Sequence, residues 1–377
     1  RLGGNAFIYG LVSAIYPACA LASAPVLGRW SDRYGRKRVL LLCEAGTVLG
    51  WVVLAVALSL PANPLANVAW RLTGPFTVTL PLLLVFLARA TDGMTAGNSS
   101  ITAAYVADVT PPEKRNSSFG AMGVSSNLGF VVGPAIAGAL GSTRLGDRLP
   151  VYATLGVSLA AAAMIAWYLP ESHERTSTAV PHAHHRRWGA LGEALDIPHV
   201  GRMLVLYFAS YLAFNFYYSA FPVHAIQNLG FGITASGAYF AILSVLMVAV
   251  QGLVLPWASR RWTDIQLMVA GSLMLCANFL LLLTTNLAAV GASVALFALG
   301  NGVMWPSAVA LLSKVAGEEE QGLVQGVASS AGNLASIAGL IAGGLVFETL
   351  GAWTFMLAAA LITVAGAVAL PLRGLPR

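Results

Sequence analysis

The sequence predicts an all-α polytopic membrane protein, and three observations carry that reading. Of 377 residues, 57% are hydrophobic and only 10% are charged, where a soluble domain holds about 25% charged residues. Apolar runs long enough to cross a bilayer, about 20 residues each, recur along the whole chain. The basic residues collect in alternate connections between those runs, the pattern that sets membrane orientation. A net charge of +6 invites a nucleic-acid reading. Here the charge sits in loops between spans, where topology and anionic lipid headgroups account for it, so no nucleic-acid partner is expected. Cys19, Cys43 and Cys276 lie far apart in apolar runs without ligand spacing. They read as small core residues, not as disulfides or metal ligands.

The runs lie at roughly 6–27, 38–60, 77–106, 117–140, 150–169, 202–226, 233–258, 265–285, 287–312, 322–347 and 350–371. Eleven spans are therefore expected. Lys and Arg concentrate at 28–38, 111–117, 170–201, 259–264 and 313–321, while the alternate loops hold Arg71, Arg144 and Arg148. The first set is expected on the cytoplasmic side of a cell membrane, together with the C-terminus. Residues 170–201 form the longest polar stretch and read as a cytoplasmic linker between two transmembrane halves, 1–169 and 202–377. Its His182, His184 and His185 have no carboxylate or thiolate at ligand spacing, so a solvated loop is expected and no metal site. Gly189 to Pro198 suits a short amphipathic helix on the membrane surface.

Between the first two spans stands the densest charge cluster, Gly28-Arg29-Trp30-Ser31-Asp32-Arg33-Tyr34-Gly35-Arg36-Lys37-Arg38. Read alone, it is a tight hairpin loop. Gly28 allows close helix approach, Gly35 supplies a φ > 0 position, and Asp32 is placed to cap the next helix or to pair with the arginines. A positive-inside loop explains the basic residues without any further role. A second-half stretch, Pro256-Trp257-Ala258-Ser259-Arg260-Arg261-Trp262, is a decayed version: Arg261 matches Arg33 and Arg260 replaces Asp32. A further repeat links Asn127-Leu128, Gly133 and Gly138 to Asn333-Leu334, Gly339 and Gly344 at an offset of 339 − 133 = 206. At that offset Asp108 meets Lys314, a reversal of sign, while Glu113 meets Glu319. Internal repeats of this kind mark transporters built from two related halves.

Three spans carry polar or aromatic patterns. Arg89 and Asp92 lie mid-span at i, i+3 and share a helix face. They read either as a buried structural ion pair or as a proton and substrate site, because ionisable groups at membrane depth are costly unless paired or wet. Gly129, Gly133, Pro134 and Gly138 space small residues for close helix packing, with a proline bend. Tyr207, Tyr211, Asn215 and Tyr218 recur at i, i+4, i+8 and i+11. That stripe is either an interfacial aromatic belt or a cavity wall for a flat, lipophilic or cationic substrate. Gln251 and Asn301 are polar mid-span residues that can face the same cavity, and Trp305-Pro306 marks a bend beside Asn301.

The spacing Gly-x-x-x-Asp-Arg-x-Gly-Arg-Lys resembles the loop signature between the second and third helices of the major facilitator superfamily. This copy is most similar to the one in drug–proton antiporters related to tetracycline exporters. The resemblance implies a major facilitator fold, two pseudo-symmetric six-helix bundles, with the family's first helix upstream of Arg1. It implies that Arg36 pairs with Asp108 and that Asp32 faces the eleventh helix, latching the cytoplasmic side. It assigns Arg89 to proton coupling, and many relatives place the coupling carboxylate on the first helix. It matches Gly129, Gly133, Pro134 and Gly138 to a helix motif of antiporters. The expected function is proton-coupled efflux of lipophilic or cationic small molecules by a monomer, driven by the proton gradient, with no cofactor and no catalysed reaction. An uptake symporter or facilitator for a small nutrient, and a transporter-like sensor without flux, remain open at this point.

Overall fold

The computed structural model describes the chain except residues 1–3, 71–72, 112–113, 142, 144–145, 147, 173–186 and 375–377. It also leaves out some side chains within helices, chiefly in 115–135, 187–191 and 317–322. The architecture is all-α apart from one hairpin. The helices are α1 (Ala6–Tyr34), α2 (Arg36–Ala57), α3 (Leu80–Met94), α4 (Asn98–Val109), α5 (Arg115–Gly141), α6 (Arg148–Tyr168), α7 (Arg187–Asp196), α8 (Val200–Gln227), α9 (Ile233–Ala249), α10 (Leu255–Ser259), α11 (Asp264–Leu281), α12 (Leu287–Leu350) and α13 (Thr354–Ala369). Among the described residues, 8 helical stretches are long and apolar enough to cross a membrane, and one of them, Leu323–Leu372, contains two predicted spans.

Four local features differ from the expectation. The expected loop after residue 27 is mostly helix. α1 continues through Gly28 and Asp32 to Tyr34, and only Gly35, at φ 101°, breaks it. Gly28 is therefore a helical residue, and a Cβ placed there meets nothing within 4 Å. The polar connection before the third predicted span folds as an antiparallel hairpin, β1 (Pro64–Trp70) with β2 (Gly74–Thr79). Its β-branched and aromatic residues, Val68, Trp70, Phe76, Thr77, Val78 and Thr79, favour a pleated strand. The predicted span 77–106 is broken into α3 and α4 by a turn at Thr95–Gly97. Gly93 and Gly97 weaken the helix there, and the Thr95 hydroxyl donates back to the Thr91 carbonyl at 3.0 Å. Finally, α12 is helical through the loop expected at 313–321, while turning back on itself as the two expected spans require. Tyr211 packs against both Trp305 and Gly332, residues that a straight helix would hold about 40 Å apart.

Packing is uneven between the two parts of the chain. From α8 onward, one large core gathers Tyr217, Phe221, Phe279, Phe297 and Phe355, all nearly inaccessible. The first part has a small cluster of Leu27, Val39, Leu40, Cys43 and Ile101. The two parts meet through α1 against α12 and α5 against α9. These meetings lie far from the basic motif. At the start of α1, Gly10 touches the Leu340 carbonyl and Gly344, and Gly344 touches the Ala6 carbonyl. At the end of α5, Gly138 lies backbone to backbone with Gly237. The Ala6 amide donates to Glu348 Oε1 at 2.6 Å, placing a carboxylate at the positive end of α1. At the other end, Trp30, Asp32 and Tyr34 are exposed, and Cβ atoms placed at Gly28, Gly129, Gly133 or Gly326 meet nothing. Among the described residues, the close backbone contacts between the two parts thus lie at one end, the closed end, and none is seen at the end bearing the basic motif, the open end.

The closed end depends on backbone contact that only glycine permits. Gly10→Leu should lower the thermal unfolding temperature of the detergent-solubilised chain, at an overpacking cost of about 1–3 kcal/mol. Gly28→Leu, on the same helix but facing open space, should leave it near wild type. Equal melting of the two variants would contradict this packing.

Candidate functional site

The basic motif is built around Arg36, whose side chain is only 14% exposed. Its Nε donates to Asp108 Oδ2 of α4 at 3.0 Å, and its Nη1 donates to Asp32 Oδ1 at 2.6 Å and to the Ser31 hydroxyl. One guanidinium therefore ties the end of α1, the start of α2 and the end of α4. Its planar fork of donors suits such a junction. Asp32 is 65% exposed and turned to Arg36, so it does not cap α2, and among the described residues it pairs with none of the second half. Arg33 lies 5.4 Å from the Tyr34 ring, and Arg38 is exposed.

The motif has partners that the sequence reading did not identify. Glu171 Oε1 accepts from the Lys37 amide at 3.2 Å, Lys37 Nζ donates to the Ala166 carbonyl at 2.8 Å, and the Tyr105 hydroxyl donates to the Pro170 carbonyl at 3.0 Å. The start of the linker is thereby fastened to the motif. The Glu171 carboxylate fills the space where a Gly35 Cβ would stand, so Gly35 is required both by its φ and by its neighbour. In the second half, Lys314 Nζ meets Asp264 Oδ2 at 2.8 Å. Arg33 aligns with Arg261 at an offset of 261 − 33 = 228, and at that offset Arg36 falls on Asp264. The pair Asp264–Lys314 is therefore the counterpart of Arg36–Asp108 with both signs reversed.

Deeper in the first half, Arg89 and Asp92 of α3 form an ion pair with Nη1–Oδ2 at 3.9 Å, the side chains 34% and 19% exposed. Asp92 Oδ1 also accepts from the Thr47 hydroxyl of α2 at 3.1 Å. The Arg89 guanidinium lies 5.5 Å from the Tyr16 ring of α1, a cation–π contact. Gly50, Trp51, Leu54, Ala88, Arg89 and Asp92 line a small cleft. Glu44 of α2 lies close by, 8% exposed, accepting from Asn98 Nδ2 at 3.2 Å. Sequence reasoning missed it, although a glutamate inside an apolar run was the signal available.

The aromatic stripe on α8 is mostly absorbed into packing. Tyr207 and Tyr211 lie 5.5 and 4.9 Å from the Trp305 ring. Tyr218 stacks on Phe214 at 6.4 Å. Asn215 Nδ2 donates to the Tyr211 carbonyl at 2.7 Å and to the Ser336 hydroxyl at 3.0 Å, joining α8 to α12. Tyr207 is 5% exposed and its buried hydroxyl has no partner among the described residues. Asn301 Nδ2 reaches Met247 Sδ at 3.5 Å, and Gln251 sits half-buried in a π-helical turn, Val250–Val254. On α5, Gly138 makes the expected close contact while Gly129 and Gly133 face open space. The Pro134 side chain lies outside the described residues, as do Glu113 and the Glu319 side chain.

A helical membrane protein with paired ionisable groups at depth and two parts closed at one end has the organisation of a secondary transporter. The family model of the Major Facilitator Superfamily matches residues 1–300 and 203–377, and the chain belongs to that superfamily. The class D tetracycline resistance protein of Salmonella ordonez is 25% identical over 340 residues, covering 90% of this chain and 80% of that protein. Multidrug resistance protein 1 of Bacillus subtilis is 26% identical over 361 residues, covering 92% of this chain and 82% of that protein. Among solved structures, a D-xylose-proton symporter superposes with a TM-score of 0.72 at 16% identity, over 97% of this chain and 87% of that one. This last likeness concerns the fold alone.

Gly35→Ala should strain the motif, since φ 101° and the adjacent Glu171 carboxylate both oppose a methyl group. The expected cost is about 1–3 kcal/mol, read as a lower unfolding temperature. Glu171→Ala in the same chain should recover only the part due to crowding. Full recovery would show that the backbone conformation costs nothing.

Proposed function

We propose that this transporter exports lipophilic or cationic small molecules across a cell membrane in exchange for protons. The observation that carries the reading is the Arg89–Asp92 pair, an ionisable couple inside an apolar helix with a second, uncharged donor from Thr47. The names of the curated relatives, tetracycline and multidrug resistance proteins, point to drug-like cargo. With the basic loops assigned to the cytoplasm, the open end faces inward, where a drug would be collected.

The chemistry follows from the contacts. Asp92 as a carboxylate accepts from Thr47 and holds Arg89. A proton on Asp92 removes the charge that Arg89 balances. The guanidinium then relies on the Tyr16 ring and on whatever lies in the cleft. A proton shifts the equilibrium between open ends only by the difference in its affinity for the two states. Asp92 meets that condition if its partners change as α1 and α3 move. The aromatic residues Tyr211, Tyr218 and Trp305, with Gln251 and Asn301, are the groups proposed to receive the apolar body of the cargo. Arg36, Asp32 and Asp108 are proposed to close the cytoplasmic end in the opposite state, with Asp32 free to turn towards α12.

The test uses purified full chain in liposomes with an imposed pH gradient and a trapped pH-sensitive dye. Tetracyclines, lipophilic cations and sugars are added to wild type and to Asp92→Asn. A tetracycline or lipophilic cation should dissipate the gradient in wild type, and Asp92→Asn should lose at least tenfold of that rate. Dissipation by sugars alone would contradict drug export. Equal dissipation by a drug in both proteins would remove Asp92 from the coupling.

A further inference from the structure

Glu44 has no role in the reading above, yet it is the most enclosed acidic residue among those described. It lies in α2, whose apolar window has a mean hydropathy of 2.2, and only 8% of its surface is exposed. An ionised carboxylate at that depth is costly unless a cation or several donors hold it. Among the described residues no Lys, Arg or His stands within ion-pair distance of it. α3 presents Asp92, of the same sign, with Arg89 beyond it and engaged by Asp92. α4 presents Asn98, and its own titratable groups are occupied at the basic end, Tyr105 by Pro170 and Asp108 by Arg36. α6 contributes the uncharged Ser158, whose hydroxyl is a second hydrogen-bond partner of the Glu44 carboxyl.

The partner amide gives a second, independent sign. Asn98 Nδ2 donates to Glu44 Oε2 at 3.2 Å, while Asn98 Oδ1 is buried and has no donor among the described residues. A carboxylate can only accept, so it cannot serve that oxygen. A carboxylic acid brings one O–H donor and can complete the exchange with the amide. We infer that Glu44 is a proton-binding site, held as a neutral carboxylic acid beside Asn98.

Its place gives it a use that rests on the coupling reading of Asp92. Thr47, which donates to Asp92, is one turn along α2 from Glu44. Glu44 lies nearer the basic end than Thr47 by about 4.5 Å of helix. Once Glu44 has released its own proton towards the basic end, the proton leaving the Asp92 carboxyl can refill it, which restores the Arg89–Asp92 ion pair and returns Glu44 to its neutral form. Net charge in the first half is unchanged, and the proton has moved towards the cytoplasmic side.

The test is infrared spectroscopy of the purified full chain in lipid, with no substrate needed. At neutral pH, wild type should show a carboxylic acid C=O stretch that Glu44→Gln removes and Asp92→Asn retains. Asn98→Leu should keep that band and shift it to higher frequency, because the amide partner is gone. A band that survives Glu44→Gln at full strength would overturn the inference, as would one lost only in Asp92→Asn. Should Glu44→Gln fail to purify as a single species, Asn98→Leu decides alone, and an unmoved band overturns it. Because the readout is protonation and not flux, failure of drug-driven proton movement would leave this result intact.

Discussion

Hydrocarbon offers no solvent to an ionisable side chain, and that constraint governs the first half of this molecule. Each ionisable group placed at depth has to find a partner. Arg89 finds Asp92 and the Tyr16 ring, Asp92 finds Thr47, and Glu44 finds Asn98. These contacts tie α1, α2, α3 and α4 together where apolar packing is sparse. The second half is organised differently. Its core is a dense aromatic cluster around Tyr217, which hydrogen-bonds Tyr239 at 2.9 Å and stacks near Phe221 and Phe297. A half held by polar pairs can respond to a proton, whereas a half held by aromatic packing gives it a firm surface to move against.

The contacts between the halves suit such movement. At the closed end they are backbone approaches, Gly10 to Leu340 and Gly138 to Gly237, with one carboxylate, Glu348, capping α1. Surfaces of this kind fit closely but hold few side-chain interlocks, so separation need not unpack a core. At the open end the motif keeps its charges satisfied within the first half, through Arg36 with Asp32 and Asp108. The second half keeps its own with Lys314 and Asp264. Both halves therefore have satisfied charges at the basic end, and under the proposed mechanism closing that end would exchange partners and not create them.

Much of this was legible in the sequence because membrane spans are long and apolar and because glycine at φ > 0 has few substitutes. The helices, the Gly35 break, the sign change between Asp108 and Lys314, and the adjacency of Arg89 and Asp92 all follow from local pattern. What stayed hidden depends on contacts between distant segments. Nothing local shows that α12 stays helical through the loop expected at 313–321, that Glu171 fills the space beside Gly35, or that Asn215 donates to Ser336. The hairpin at Pro64–Thr79 was obscured because a short β-branched run next to a span reads as more span. Tyr207 was read as a member of a stripe, and its burial against Trp305 could not be seen without α12 in place.

The central claim is that the protonation state of Asp92 sets which end of the transporter is open. Electron–electron distance measurement tests it directly. Spin labels are placed at Tyr34 of α1 and Ser330 of α12, both exposed, and distances are recorded across a pH series. The account predicts that the distance distribution in the otherwise wild-type chain shifts with pH between a wide and a narrow population, and that Asp92→Asn holds it in one of them at every pH. The same pH-dependent shift in Asp92→Asn would contradict the account.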